Sequence, residues 1–149
     1  MTEETPKQWI VMRTDLKMRK GKMIAQGAHA SMKVLLDRQF DRMLPHDPGW
    51  RKEGTALHRD DSYTTWRITA DPAMHAWLQG LFTKICVRVE SEEQLETVYE
   101  KAKEAGLPCA LIVDAGKTEF NGVPTKTCCA IGPAYPSQVK DIVGDLKLL

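Results

Sequence analysis

Long apolar runs are missing from this chain of 149 residues. Stretches such as 110–113 (ALIV) span a handful of residues, against the ~20 that a membrane-crossing helix needs. An excess of either charge is missing too: 21 Lys and Arg stand against 20 Asp and Glu, a formal net charge of +1. That balance speaks against coating nucleic acid by bulk charge, but not against a local basic patch. The opening Met1-Thr2-Glu3-Glu4-Thr5-Pro6 is acidic and polar, unlike a signal peptide. No complete G-x-x-x-x-G-K-[ST] loop, G-x-S-x-G elbow, H-E-x-x-H pair or zinc knuckle occurs. His46, His58 and His75 are spaced too irregularly for a metal site, so neither a metal nor another cofactor is expected. With 42% hydrophobic and 28% charged residues, the composition fits one folded domain over 1–149 rather than a disordered chain.

Cysteine is sparse and unpatterned. Cys86, Cys109, Cys128 and Cys129 lie in or beside apolar runs, and none forms C-x-x-C. Neighbouring strand side chains point to opposite faces, so Cys128 and Cys129 make a poor chelating pair. They read as buried free thiols of a protein in a reducing compartment, the cytoplasm.

The apolar pattern that is present alternates between strand and helix. Residues 8–16 (QWIVMRTDL) are strand-like around Trp9, Ile10, Val11 and Met12. Gly21 precedes a helical pattern over 22–40, in which Ala25, Ala28, Met32 and Leu35 give an apolar face. Lys22, Gln26, His29 and Lys33 recur on a second, polar face. Residues 41–80 form an irregular excursion rich in Pro, Trp and His, with one short helix near 72–81. A strand follows at 84–90, then Ser91-Glu92-Glu93-Gln94 as a capping box opening a helix that Gly106 and Pro108 end. Residues 109–113 read as a strand covered on both faces, 127–131 as a fourth strand, and 136–143 as a last helix. This order predicts a three-layer α/β/α single domain.

Chemistry-bearing residues gather at two predicted strand ends. Residues 13–22 carry Arg13, Lys17, Arg19, Lys20 and Lys22 against one acid, Asp15. They follow the first strand and open the first helix, where α/β sheets bind ligands and helix N-termini favour anions. A solvated turn is the plainer reading of such a cluster. Asp114-Ala115-Gly116-Lys117-Thr118 leaves a second strand, and there Asp114 suits either a site or a cap on the following turn. His29 alone reads as a surface or structural histidine; its place beside the basic turn makes it a site candidate.

These residues carry a resemblance. Asp15-Leu16-Lys17-Met18-Arg19-Lys20-Gly21-Lys22, continued by Ala25-Gln26-Gly27-Ala28-His29-Ala30, resembles the N-terminal signature of the type 2 peptidyl-tRNA hydrolases. Residues 111–119 (LIVDAGKTE), 124–133 (PTKTCCAIGP) and 146–148 (LKL) resemble three further blocks in the same order. Gly27 departs from a common cysteine and Lys117 from a frequent arginine, which keeps the charge but loses the bidentate fork. The excursion at 41–80 is longer than the family's segment. The resemblance implies a mixed four-stranded sheet flanked by helices, often dimeric, that hydrolyses the ester between peptide and tRNA. By position it implies functional roles for Lys17, Lys22, Gln26, His29, Asp114, Thr118, Thr125 and Thr127.

Ester hydrolysis needs an activated water, a donor facing the oxyanion and a grip on tRNA. Asp114 with His29 is expected to orient or activate water, and Lys17 or Lys22 to stabilise the oxyanion. Thr118 is expected to place the carbonyl or terminal ribose. Arg13, Arg19, Lys20 and Lys33, with Lys117, are expected to hold phosphates without reading base sequence. Two other classes remain open on sequence: a non-catalytic tRNA- or protein-binding module of the same fold, and a thiol redox enzyme using Cys128 and Cys129.

Overall fold

The computed structural model describes residues 3–40 and 67–149. Ten elements follow in order: β1 (Lys7–Arg13), α1 (Lys20–Leu36), β2 (Gln39–Phe40), β3 (Arg67–Ile68), α2 (Pro72–Gln79), β4 (Lys84–Val89), α3 (Glu92–Glu104), β5 (Cys109–Asp114), β6 (Thr125–Ala134) and α4 (Pro136–Val143). The main sheet has the order β4-β1-β6-β5. β1 pairs parallel with β4, and β6 runs antiparallel to both β1 and β5. The sheet is therefore mixed and four-stranded, as the resemblance implies. A two-residue ladder joins β2 to β3. Of the excursion, α2 falls where the short helix is predicted; His46, His58, Trp50 and Trp66 lie outside the described residues.

Alternation along the strands divides the core into two. Trp9, Val11, Val87, Val89, Cys129 and Ile131 point to one face, under Leu95, Val98 and Ala102 of α3 and Val139 and Val143 of α4. Ile10, Met12, Ala110, Ile112, Cys128 and Ala130 point to the other, under Ala30 and Val34 of α1 and Met74 of α2. This is the α/β/α sandwich read from the pattern, with period-two strands feeding both layers. Cys128 and Cys129 do point to opposite faces, both fully buried, and burial pushes the Cys128 thiol up to about 12 and Cys129 upward as well. Buried thiols held protonated are inert, which removes the observation a redox reading would need. All four cysteines are free, but Cys86 is exposed and Cys109 only half-buried, against the expectation of burial for all four.

α1 corrects one expectation. Its buried stripe is Gln26, Gly27, Ala30, Ser31 and Val34, while Ala25, Ala28 and Met32 are exposed. Small side chains, not the larger apolar ones, face the sheet because they let the helix axis come close. Gln8, fully buried on β1, reinforces that approach: it donates to the Ser31 carbonyl and accepts from the Ser31 hydroxyl at 2.5 Å. Ile24, Met32 and Leu78 stay exposed beside an apolar groove of about 750 Å³ between α1 and α2. α3 starts at Ser91 as read, with the Ser91 hydroxyl accepting from the Gln94 N–H, but the box is incomplete: the Gln94 side chain reaches past the cap to the Glu90 N–H. Among the described residues, no helix is long and apolar enough to cross a membrane.

A Cβ added at Gly27 would meet Ile10 at 3.6 Å, ordinary van der Waals contact. Gly27→Ala is therefore expected to stabilise by about 0.5–1 kcal/mol through the chain entropy that glycine loses in a helix. Thermal denaturation should show a rise of about 1–4 °C.

Candidate active site

Strand direction brings the chemistry together. β1, β4 and β5 are mutually parallel, so Arg13, Val89 and Asp114 end at one edge of the sheet, where β6 begins at Thr125. The first two turns of α1 lie across β5 and β6 at that edge. Lys22 and Gln26, one turn apart on α1, reach the last residue of β5.

Asp114 is the centre of what results. Its Oδ1 accepts from Lys22 Nζ at 2.7 Å and from Gln26 Nε2 at 3.1 Å, and its Oδ2 accepts from the Gly116 N–H at 2.9 Å. The last bond closes the turn after β5, so Asp114 does cap that turn while its other oxygen faces Lys22 and Gln26. Lys22 also donates to the Thr118 hydroxyl at 3.1 Å and sits 5.7 Å from the centre of the Phe120 ring. Behind this front the Thr127 hydroxyl, fully buried, donates to Gln26 Oε1 at 2.5 Å. That bond fixes which end of the Gln26 amide faces Asp114: oxygen to Thr127, nitrogen to the carboxylate. The Lys22 ammonium holds the Asp114 carboxyl below its ordinary range, helped by Gly116 and Gln26 and opposed by desolvation.

The loop between β5 and β6 is built around one glycine. Gly116 has φ +77°, and a Cβ there would fall 2.4 Å from the Val123 carbonyl oxygen. The Gly122 N–H bonds back to the Gly116 carbonyl at 2.8 Å, which turns Thr118 toward α1. At the outer end of the loop, Glu119 accepts from Arg19 at 2.8 Å. Arg19 caps α1 by backbone geometry alone, and the first turn of α1 contains no acid.

Of the residues singled out by sequence, Lys22, Gln26, Asp114, Thr118 and Thr127 form one connected network. His29 does not join it. It is exposed, makes no hydrogen bond or ion pair with any described residue, and lies about 10 Å further along the helix axis than Lys22. The expected pairing of Asp114 with His29 is replaced by pairing with Lys22 and Gln26. Arg13 is likewise not a free phosphate contact. It is 7% exposed and its guanidinium is taken up by Asp15, Glu92 and the Lys126 carbonyl. Lys33 pairs with Asp37 one turn on, and the Thr125 hydroxyl bonds Val123 within its own loop. Lys20 lies on the other flank of α1, at the rim of the apolar groove. Lys17 and Lys117 are exposed with no side-chain partner among the described residues. Sequence reasoning passed over Gly116, Glu119 and Phe120; only the Asp-x-Gly spacing, an Asx-turn signal, offered a clue to the first. Among the described residues, no group of three or more His, Cys, Asp or Glu is placed to hold a metal ion.

The family profile of peptidyl-tRNA hydrolase PTH2 matches residues 6–149. The chain belongs to that family. Among curated relatives, a peptidyl-tRNA hydrolase of Aeropyrum pernix is 41% identical over 149 residues, covering 99% of both chains. One of Sulfurisphaera tokodaii is 40% identical across 96% of this chain and 98% of its own. One of Methanocaldococcus jannaschii is 36% identical across 96% and 99%. Family membership thus covers the whole network from Lys22 to Thr127.

Two outcomes test this geometry. Gly116→Ala should cost well over 1 kcal/mol in denaturant unfolding, because a left-handed backbone and a steric clash coincide. Asp114 should titrate below an ordinary aspartate and so stay ionised throughout the neutral range. Its depressed pKa contributes stability above the unfolded value and loses it as pH falls through the folded one. A carboxyl resonance of Asp114 titrating near neutrality would contradict this.

Proposed function

We propose that this chain hydrolyses the ester linking a peptide to the 3′ end of tRNA, with Lys22, Asp114 and Thr118 as its catalytic residues. The observation that carries the reading is the contact of Lys22 Nζ with both Asp114 and Thr118, at 2.7 and 3.1 Å, in a partly buried site. A binding module would need only the exposed cations around it. The family membership supports the same activity.

The chemistry follows from free valences. Asp114 Oδ2 spends one lone pair on Gly116 and keeps one for a water. A carboxylate held below its usual range is a weak base, so it orients that water and steadies positive character on it rather than storing its proton. Lys22 has one ammonium proton beyond those given to Asp114 and Thr118. The Thr118 hydroxyl, accepting from Lys22, has its own proton to give. Both donors can face the carbonyl oxygen as it becomes an oxyanion. Water adds to the carbonyl carbon, the ester C–O bond breaks, and the proton lost by water ends on the departing ribose oxygen. Gln26 and Thr127 keep Asp114 in place from behind.

Lys17, Lys20 and Lys117 are the exposed cations available to tRNA phosphates, and their contacts would carry no base sequence. The working compartment is the cytoplasm, where the substrate is made, and a homodimer is the assembly this reading adopts, because the family it resembles is often dimeric; sedimentation equilibrium returning only monomer would remove that last part. The whole chain acts as one domain in this reading.

Hydrolysis of N-acetyl-aminoacyl-tRNA tests the core of it. Asp114→Asn and Lys22→Ala should each lower kcat by about 10²–10³ while tRNA binding stays near wild type; both should also lower the thermal midpoint, because each breaks a largely buried ion pair, so activity is compared well below that midpoint. Turnover retained by Asp114→Asn sinks the catalytic assignment of Asp114, and absence of turnover by the wild type favours a binding module. His29→Ala should lose less than about tenfold, since it lacks contact with the network.

A further inference from the structure

The turn that presents Lys17 is held in a costly shape. Lys17 has φ +50°, a left-handed conformation that disfavours any residue with a Cβ. Such a conformation persists where its surroundings over-determine it. The turn begins at Thr14, whose N–H and hydroxyl both donate to the Val89 carbonyl, and closes with the Lys17 N–H on the Thr14 carbonyl at 3.1 Å. Beyond it Met18 is buried in the core beneath α1. Between these anchors, Asp15 receives a fork from Arg13: Nε to Oδ1 at 3.1 Å and Nη2 to Oδ2 at 2.7 Å. Arg13 is in turn fixed by Glu92 at the start of α3 and by the Lys126 carbonyl of β6, each at 2.9 Å. The clamp joins β1, β6, α3 and the turn, and leaves the Lys17 side chain exposed, without a partner among the described residues.

We infer that Asp15, gripped by Arg13, is a positioning residue for the reaction: it holds the 14–17 turn so that Lys17 meets an anionic phosphate at the acceptor end of tRNA. The inference rests on the proposed hydrolase reading, and specifically on Lys17 as a phosphate contact. The sign of the effect separates positioning from plain electrostatics. Removing a carboxylate beside a basic loop strengthens binding of a polyanion if only charge counts. Loosening the turn weakens it.

The test uses the full chain with N-acetyl-aminoacyl-tRNA, comparing wild type, Asp15→Asn, Lys17→Ala and the double variant from 50 to 200 mM salt. Lys17→Ala should raise KM about tenfold and flatten the salt dependence by about one phosphate contact. Asp15→Asn should raise KM about fivefold with kcat within twofold of wild type. In the Lys17→Ala background it should add less than about twofold, because its effect passes through that lysine. Hydrogen exchange at the Lys17 amide should quicken in Asp15→Asn while the β1 amides keep their protection. Asp15→Glu, which keeps the charge, serves the same comparison if the amide variant does not fold. Tighter or unchanged KM in Asp15→Asn overturns the inference, as does an equal penalty in both backgrounds or an unaltered Lys17 amide. A Lys17→Ala variant with wild-type KM and salt dependence overturns the phosphate role beneath it, and a wild-type chain that shows no turnover identifies the hydrolase reading as the part at fault.

Discussion

The Asp114 carboxylate is where the last residue of β5, the first two turns of α1 and the loop after β5 are tied together. It takes three donors, from Lys22 and Gln26 of α1 and from Gly116 of the loop. A partly buried carboxylate loses hydration, and an ammonium in contact restores much of that loss only when the remaining lone pairs also find donors. Here they do. The same arrangement leaves one Oδ2 lone pair, one ammonium proton and one hydroxyl proton facing outward, which is a small reactive constellation assembled by structural bonds.

That constraint propagates inward and outward. Inward, the Gln26 amide can serve Asp114 only in one orientation, and Thr127, fully buried on β6, selects it. The closeness of α1 to the sheet that this chain of bonds requires is supplied by Gly27, Ala30 and Ser31 and by the Gln8 side chain beneath them. Outward, the turn at Gly116 carries Thr118 back to Lys22, and Glu119 meets Arg19 at the mouth of the helix. Exposed as Arg19 is, that ion pair contributes little to stability. Its effect is to leave Arg19 less free for RNA than its formal charge suggests.

Charge shows the same redistribution. The net +1 conceals a basic turn after β1, yet the five cations read there are not equivalent. Arg13 is neutralised by Asp15 and Glu92, Lys22 by Asp114, and Arg19 by Glu119. Lys17 and Lys20 are left as the exposed cations of that segment without an acidic partner among the described residues. A count of charges along the chain overstates the patch; pairing decides how much of it a phosphate meets.

The sequence by itself determined the layers: period-two apolar strands between amphipathic helices admit one sandwich, and local signals such as Ser91, Gly106 and the Pro136 helix start mark the boundaries with little tertiary help. It also supplied the membership of the site, since Lys22, Gln26, Asp114, Thr118 and Thr127 all stand in motifs that a reader of the chain can mark. What it did not contain was their partnership. Lys22, Gln26, His29 and Lys33 share one helical face, and nothing in a 3.6-residue period tells which of them lies level with the end of β5. Only packing of α1 against the sheet decided that the first two turn to Asp114 while the other two face solvent. The packed face of α1 followed the same logic: hydrophobicity favoured Met32 and Ala28, but close approach selected the small residues. Arg13 fell on the wrong side for a related reason, because the acids that bury it come from the following turn and from α3, and the α3 acid lies 79 positions away in sequence. Long-range pairing of charges is set by strand order, which only the folded chain specifies.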